Sequence, residues 1–262
     1  VRSINDNGEA TGTLASGDGV FYYNVATRQL ETVSATGTGY DISPAGTAIV
    51  GSGGANGAFP YLYTRTGAGG TWRGTSLPTD PSSTAGAAGA MLTDGTGQVV
   101  TIGGIEQACR GKICTSRGVV WVWQAGYGVW QRTVLPDSGS GGEVRHRALS
   151  STGVLGGFVN IGRVLAPAVW MPNGSGGYAL TVLSTSGGAV NGVRSDGGMV
   201  AGYLSTPVYW LAQPGGAWSA PITIAGGCNA VKDVAEAGRI ILNYCPFRNR
   251  GQPTAAYADV PY

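Results

Sequence analysis

One arrangement of apolar and polar residues recurs six times along the chain. Each copy has an apolar residue, a short polar turn with a glycine, and a run of small and β-branched residues, as in 42–51 (I-S-P-A-G-T-A-I-V-G). The turn glycines are Gly8, Gly46, Gly97, Gly153, Gly197 and Gly238, and successive ones lie 38 to 56 residues apart. A strand, a polar turn whose glycine accepts a positive φ, and a second strand together predict a β-hairpin.

A third and a fourth strand are predicted after each hairpin. The third strand contains a recurring aromatic residue: Tyr23, Tyr63, Trp123, Trp170, Trp210 and Tyr257. In four copies a second aromatic residue opens another alternating segment; these residues are Trp72, Trp130, Tyr178 and Trp218. The strict recurrence of the first aromatic predicts that it packs in the core between repeats rather than against a sugar.

Four short antiparallel strands per repeat predict an all-β fold, a β-propeller of six blades. One four-stranded sheet cannot bury both of its faces, whereas blades stacked in a ring bury them against each other. The predicted single domain, 1–262, consists of repeat units at approximately 1–36, 37–85, 86–141, 142–187, 188–226 and 227–262. The last unit ends after its third strand, so its outermost strand is missing or supplied from elsewhere. Five blades with a partial sheet, and a pair of immunoglobulin-like sandwiches, remain as alternatives.

The amino-acid composition excludes several fold classes and several kinds of partner. Glycine accounts for 47 of 262 residues and charged residues for only 11 %, which excludes a helical bundle or a doubly wound α/β enzyme because glycine disfavours helices. The net charge of +2 provides no general attraction to nucleic acid or to an anionic membrane. No apolar stretch approaches the roughly 20 residues of a membrane span. The chain begins inside a repeat, which is typical of a mature product whose leader has been removed.

The repeats resemble a known family. Residues 4–8 (I-N-D-N-G), residues 194–202 (R-S-D-G-G-M-V-A-G) and the third strands that read A-V-W or V-Y-W are similar to the bacterial extracellular HAF-type repeat. That repeat has an I-N-D-x-G-x-V-V-G turn followed by an A-F-x-W strand. The resemblance covers nearly the whole chain and implies a secreted, periplasmic or surface-displayed bacterial propeller, with no catalytic residues to carry over. The third repeat departs most, with a longer turn and an insertion at 105–117.

The four cysteines form two local pairs, Cys109 with Cys114 and Cys228 with Cys245. Their even number and local pairing favour two disulfides and an oxidising compartment, and a four-cysteine zinc site is the alternative. In a six-bladed ring the third and sixth repeats lie opposite each other, so the four thiolates could not reach one ion. If the fold is correct, two disulfides are expected, and the Cys228–Cys245 bond would hold the first two strands of the last blade together.

Candidates for catalysis are scarce. His146 is the single histidine, and no G-x-S-x-G segment is present to hold a nucleophilic serine. We therefore assign no catalytic residue, no metal ligand and no cofactor. Several carboxylates fall in the hairpin turns, where hydrogen bonds to the turn backbone are their expected role. These residues are Asp6, Asp94, Asp196 and Glu236.

A better candidate site follows from position. The first strand of each propeller blade normally lines the central channel, and the residues two before its first apolar position are Arg2, Tyr40, Ala90, Arg147, Asn191 and Lys232. The adjacent residues are Ser3, Asp41, Met91, Ala148, Gly192 and Asp233. Because adjacent strand positions face opposite ways, only one set is expected to face the channel. The first set is polar in five of six repeats and His146 adjoins it, so we predict a ligand site at Arg2, Tyr40, His146, Arg147, Asn191 and Lys232. The alternative is a water-lined channel whose charges pair across blades.

Three functions fit these observations. The first is a non-catalytic binding or scaffold propeller that recognises a carbohydrate, a protein or an envelope component outside the cell, with no nucleic acid partner and no membrane insertion. The second is a hydrolase or lyase that acts on a polysaccharide or small anionic substrate, with His146 as base and Arg147 and Lys232 neutralising a carboxylate. The third is a structural module of a larger extracellular assembly.

Overall fold

The structure is a computed structural model that describes residues 1–67, 69–110, 113–224, 230–234, 239–245 and 254–259. These residues form strands, turns and loops, and none of them is helical. Accordingly, the described part of the chain contains no helix with the length and apolar character needed to cross a membrane.

The strands form six antiparallel sheets. The first sheet contains β1 (Ser3–Ile4), β2 (Glu9–Thr13), β3 (Val20–Asn24) and β4 (Gln29–Ser34); the second contains β5 (Thr38–Ile42), β6 (Ala48–Gly53), β7 (Phe59–Thr64) and β8 (Arg73–Ser76); the third contains β9 (Ala85–Thr93), β10 (Val99–Arg110), β11 (Ile113–Gln124) and β12 (Val129–Val134). The fourth contains β13 (Gly142–Leu149), β14 (Leu155–Ile161), β15 (Val164–Pro172) and β16 (Tyr178–Val182); the fifth contains β17 (Ala189–Val193), β18 (Met199–Tyr203), β19 (Pro207–Leu211) and β20 (Ile222–Thr223); the sixth contains β21 (Ala230–Val234), β22 (Arg239–Cys245) and β23 (Thr254–Asp259).

Each sheet is a meander whose strands pair in chain order. The chain divides into two compact units, an N-terminal unit (Val1–Val134) with the first three sheets and a C-terminal unit (Leu135–Tyr262) with the last three. Within each unit a sheet packs its first strand on the sheet before it: β5 packs on β1 and β2, and β17 packs on β13 and β14. Successive four-stranded meanders stacked in this way are the architecture of a β-propeller, so the predicted fold class is confirmed. The sixth sheet has three strands in the described residues.

In the first five sheets the first hairpin turns at the glycine that the repeat places there. Five of the six turn glycines adopt φ values between 65° and 84°, a region that L side chains rarely enter, and the sixth, Gly238, lies outside the described residues. A polar side chain at the start of the turn accepts backbone N–H groups from within it. For example, the Ser43 hydroxyl accepts the amides of Thr47 and Ala48, and Asp94 accepts those of Thr96 and Gln98.

A second recurring glycine lies on the second strand, at the end of the repeat motif. A Cβ atom on Gly51 would overlap the carbonyl oxygen of Thr38, and one on Gly202 would overlap that of Ala189. In both sheets the first strand bulges beside this glycine. The glycine therefore allows the bulged first strand to approach the second strand closely.

In the second to fifth sheets a buried aromatic residue occupies one register position in the third strand, whereas in the first sheet Tyr23 holds that position and is only partly buried. Each pairs with a residue two positions before the second-strand glycine, in the pairs Ile49–Tyr63, Ile102–Trp121, Leu155–Trp170 and Val200–Trp210. The prediction that Trp123 belongs to this set is wrong, because Trp121 takes the position and is fully buried. The indole N–H of Trp121 donates to Pro78 O, just as that of Trp170 donates to Pro136 O. Trp123 is only partly buried and pairs with Trp130.

The insertion in the third repeat extends a hairpin. Strands β10 and β11 have 12 residues each, against five to nine in the second and third strands of the other sheets. The predicted disulfide between Cys109 and Cys114 is confirmed, and it joins directly paired residues of these strands. The predicted Cys228–Cys245 bond lies outside the described residues, since Cys228 and the side chain of Cys245 are not among them.

Candidate functional site

The first strands of the N-terminal unit are linked by one carboxylate. The hydroxyl of Ser3 on β1 donates to Asp41 Oδ1 at 3.0 Å, and the backbone N–H of Met91 on β9 donates to Asp41 Oδ2 at 3.2 Å. The carboxylate of Asp41 on β5 thus bridges the first strands of three successive sheets. These three residues are half of the adjacent set named from the sequence, and the structure brings them together.

Two residues of the other predicted set, Arg2 and Tyr40, are also in contact in the N-terminal unit. The Arg2 guanidinium lies 5.8 Å from the centre of the Tyr40 ring, within the range of a cation–π contact. Tyr40 is the additional residue of a β-bulge, because Gly39 pairs with Gly51 and Asp41 pairs with Val50. The bulge interrupts the strict alternation on which the channel-facing expectation depends, and that expectation stays a prediction. A bulge interrupts the alternation and redirects the side chains beside it.

The same bulge recurs in the C-terminal unit. Asn191 is the additional residue on β17 and Lys232 is the additional residue on β21. The Asn191 side-chain amide donates to the carbonyl of Val231 at 2.9 Å, which ties β17 to β21, and Lys232 is exposed. Asp233, the residue after Lys232, is buried and accepts the backbone N–H of Val234 at 2.8 Å. Each unit therefore has polar residues at first-strand bulges, at Tyr40 in the N-terminal unit and at Asn191 and Lys232 in the C-terminal unit.

The other two predicted site residues are His146 and Arg147. The backbones of His146 and Arg147 lie in β13, and their side chains are outside the part of the chain that the structure describes. The strand is irregular there: its pairing with β14 is interrupted between Val144 and Leu149. Of the predicted site residues, Arg2 and Tyr40 are in contact in the N-terminal unit. Asn191 and Lys232 lie on neighbouring first strands, β17 and β21, of the C-terminal unit.

Two of the four predicted turn carboxylates, Asp94 and Asp196, bind their own turns, whereas in the first turn Asn5 rather than Asp6 accepts the backbone N–H groups of Asn7 and Glu9. Asp94 accepts the Thr96 hydroxyl at 2.7 Å and this hydrogen bond lowers the pKa of Asp94. Asp196 accepts the Arg194 guanidinium at 2.7 Å, and this interaction holds the pKa of Asp196 below its usual value. Both carboxylates therefore stay ionised in the structural role that their position in the repeat predicts. Glu236 lies outside the described residues.

A buried charged cluster between the first two sheets was not predicted from the sequence. The Arg65 side chain, 2 % exposed, has its Nη1 atom 3.2 Å from Glu31 Oε2 and its Nη2 atom 3.8 Å from Glu9 Oε1. Its guanidinium carbon lies 4.0 Å from the centre of the Tyr22 ring and 4.6 Å from that of Trp72. The Trp72 indole donates to Glu31 at 3.0 Å and the Tyr22 hydroxyl donates to Glu9 at 2.5 Å. In this cluster the charges of Arg65, Glu9 and Glu31 face one another, and the cluster joins the first two sheets.

The third sheet contains a second buried ion pair. Glu106, 3 % exposed, accepts the Arg132 guanidinium through both carboxylate oxygens, at 2.6 and 2.5 Å. The hydrogen bond from Glu106 raises the pKa of Arg132, because it stabilises the charged guanidinium. Two-point contact of this kind fixes both side chains.

A cavity of about 270 Å³ opens to solvent between the second and third sheets of the N-terminal unit. It lies beside the first-hairpin turns and away from the first-strand bulges. Its lining residues are Thr47, Ala48, Leu62, Thr64, Arg65, Gly97, Gln98, Val99, Trp123 and Trp130. This site was not predicted, because Trp123 was assigned to the core. The signal in the sequence is the pair Trp121 and Trp123, two positions apart on one strand, of which only one takes the core position. Among the described residues, no group of three or more His, Cys, Asp or Glu side chains is placed to hold a metal ion.

Comparison with known proteins identifies similar folds and no family. No protein-family description and no curated protein sequence matches the chain. A crystal structure of a protein from Lactobacillus plantarum aligns with a TM-score of 0.56 at 12 % identity, over 91 % of this chain and 75 % of that one. This similarity indicates a shared fold alone.

Two further structures align less well. A putative TolB from Agrobacterium tumefaciens gives a TM-score of 0.46 at 13 % identity, over 97 % of this chain and 90 % of that one. The β-propeller domain of Cps50 (Swd1) from Myceliophteria thermophila gives 0.48 at 12 % identity, over 89 % and 78 %. Scores below 0.5 add nothing to the fold assignment made from the sheets.

Proposed function

We propose that the chain is a non-catalytic binding or scaffold propeller that acts outside the cytoplasm, secreted, periplasmic or on the cell surface. Its ligand is a glycan, a protein or an envelope component, held by the polar residues of the first-strand bulges. The observation that carries the proposal is the recurrence of one device: Tyr40, Asn191 and Lys232 are each the additional residue of a bulge in a first strand. Bulges often lie beside binding sites because they redirect side chains.

The structural roles of five acidic residues support binding rather than catalysis. Glu9 and Glu31 contact Arg65, and Glu106 contacts Arg132, each within a buried or partly buried cluster. Asp94 and Asp196 hold their turns. A carboxylate that is ionised and fully used in packing is poorly suited to exchange protons with a substrate.

The proposed compartment has two supports. The Cys109–Cys114 disulfide is typical of proteins that fold in an oxidising environment. The resemblance of the repeats to the bacterial extracellular HAF-type repeat points to the same location. The chain's small net charge, +2, is consistent with a ligand that is not strongly charged.

The test is binding to a printed array of bacterial surface polysaccharides and peptidoglycan fragments, followed by titration of each positive. Tyr40→Ala and Lys232→Ala are compared separately with wild type. Arg73→Ala, which alters an exposed cation on the outermost strand of the second sheet, is the matched control. We expect at least one bulge variant to bind about tenfold more weakly, or about 1.4 kcal/mol, with the control unchanged.

Two results would overturn the proposal. Time-dependent release of shortened or unsaturated sugars from a bound polysaccharide would identify a hydrolase or lyase instead. Binding that is equally strong in wild type, Tyr40→Ala, Lys232→Ala and the control would place the ligand elsewhere on the molecule.

A further inference from the structure

The cavity between the second and third sheets has an aromatic wall made of two indoles. Trp123 at the end of β11 pairs directly with Trp130 at the start of β12. Their ring centres are 5.3 Å apart and their planes meet at 58°, so the two rings form a corner rather than a flat stack. Both residues are only partly buried, and both line the cavity. Large aromatic faces kept open to solvent in a concave site are typical of ligand pockets.

In the neighbouring second sheet, an arginine side chain covers the corresponding tryptophan ring. In the second sheet, Arg65 and Trp72 flank the paired residues Thr64 and Arg73, so they occupy the positions that Trp123 and Trp130 hold in the third sheet. The Arg65 guanidinium lies 4.6 Å from the centre of the Trp72 ring and covers that ring. In the third sheet a second tryptophan takes the place of the arginine, and a cavity of about 270 Å³ is left in front of the pair.

The electrostatics of the cavity favour an uncharged ligand. Arg65 is the cation in its lining, and that guanidinium already faces the carboxylates of Glu9 and Glu31. One positive charge between two negative ones leaves a local excess of one negative charge. An anionic ligand would therefore gain no net attraction from Arg65, and it would lose hydration on entering the cavity.

The remaining lining supplies uncharged hydrogen-bonding groups. Thr47 and Thr64 contribute hydroxyls, and Gln98 contributes an amide that can donate and accept. Thr64 and Gln98 are exposed, so they lie at the rim of the cavity where a ligand would enter. Aromatic faces with a few amide and hydroxyl groups match a pyranose ring, which has C–H bonds on its faces and hydroxyls around its edge.

We propose that this cavity binds one neutral hexopyranose unit, stacked on the Trp123–Trp130 corner with its hydroxyls on Thr47, Thr64 and Gln98. A volume of about 270 Å³ is just below the usual range for drug-sized ligands, roughly 300–1,000 Å³, which fits a ligand of one or two rings. The site is separate from the first-strand bulges, so it goes beyond the proposed function and can be tested independently of it.

The experiment uses the whole chain and three probes of matched ring size. Methyl β-D-glucopyranoside and methyl α-D-mannopyranoside are the neutral probes, and methyl β-D-glucuronide is the acidic one. Binding is followed by saturation-transfer NMR and by titration of tryptophan fluorescence. The variants are Trp123→Ala and, as matched control in the same hairpin, Tyr127→Ala, whose side chain is 83 % exposed and does not line the cavity.

The expected result is saturable binding of at least one neutral pyranoside, weakened about tenfold or more by Trp123→Ala and unchanged by Tyr127→Ala. If Trp123→Ala does not fold, the rim variant Thr64→Val/Gln98→Ala replaces it, with a loss of about threefold or more expected. Tyr40→Ala should leave this binding unchanged, which separates a failure here from a failure of the proposed function.

The proposal is overturned if none of the neutral pyranosides shows saturable binding. It is equally overturned if the cavity variants bind as well as wild type, which would place the sugar elsewhere. A glucuronide that binds more than tenfold more tightly than the glucoside would also overturn the proposal of a neutral ligand, because it would show that Arg65 is available to an anion.

Discussion

Replacing Arg65 by methionine should destabilise the protein more than any substitution of an exposed arginine. The Arg65 side chain is 2 % exposed and lies between the carboxylates of Glu9 and Glu31 and the rings of Tyr22 and Trp72. Methionine keeps most of the aliphatic volume and removes the charge. The substitution therefore leaves two carboxylates close together at a packed interface between sheets, with no cation to compensate them.

The size of the effect follows from the distances. At an effective dielectric constant of about 20, a unit charge pair at 3.2 Å is worth about 5 kcal/mol and one at 3.8 Å about 4 kcal/mol. The cost of desolvating the guanidinium offsets much of this attraction. Breaking a buried pair by removing one partner costs about 3–5 kcal/mol, and we expect Arg65→Met to fall in that range.

Equilibrium unfolding in urea, followed by tryptophan fluorescence, measures the change in free energy. The matched control is Arg73→Met on the exposed strand of the same sheet, for which we expect a change within about 0.5 kcal/mol. The triple variant Arg65→Met/Glu9→Gln/Glu31→Gln removes the uncompensated charges and should recover at least half of the loss.

Two results would refute this reasoning. If Arg65→Met were no more destabilising than Arg73→Met, the cluster would contribute no net stability. If the triple variant were as unstable as Arg65→Met alone, the loss would come from packing of the guanidinium on the rings, and the carboxylates would be irrelevant to it.

Three further predictions concern other parts of the fold. Gly104→Ala should destabilise by about 2–3 kcal/mol in urea unfolding, because its Cβ would overlap a first-strand carbonyl and crowd the buried indole of the same sheet. Trp170→Phe should cost about 1–2 kcal/mol more than Trp210→Phe, because the Trp170 N–H donates a hydrogen bond at 2.7 Å and the Trp210 N–H has no partner among the described residues. Arg194→Gln should cost up to about 1 kcal/mol at pH 7, because Arg194 lowers the pKa of the exposed Asp196. That stability is present above the unfolded-state pKa of about 3.9 and is lost as the pH falls through the folded value, so the difference between wild type and variant should shrink as the pH is lowered below about 4.

Each of these predictions has its own contrary outcome. Gly126→Ala, with no described atom within 4 Å of the added Cβ, is the control for Gly104→Ala, and equal effects would remove the steric argument. Equal losses for Trp170→Phe and Trp210→Phe would mean that the indole hydrogen bond is energetically neutral. A cost of Arg194→Gln that does not change between pH 7 and pH 2 would show that its ion pair with Asp196 is not the cause.

The recurring pattern determined the hairpins and the fold class because both depend on local information. A positive-φ glycine and a capping side chain define each turn within a few residues, as at Ser43 and Gly46. Alternation along each strand then defines which face is buried. The Cys109–Cys114 pair was also predictable, since the two residues are only five positions apart in the sequence.

The tertiary structure decided every feature that depends on two distant segments. Which tryptophan of the third sheet is buried depends on the register with Ile102 and on the carbonyl of Pro78, 43 residues from Trp121, and the local sequence at Trp121 and Trp123 does not distinguish them. The bulge at Tyr40 breaks the alternation on which the channel-facing assignment relied. The Arg65 cluster joins two sheets through residues up to 56 positions apart, and the Trp123–Trp130 cavity likewise forms only where two sheets meet. The repeats can be recognised because the same residue pattern recurs along the chain. The contacts between repeats depend on side chains that differ from one repeat to the next, so the pattern does not predict them.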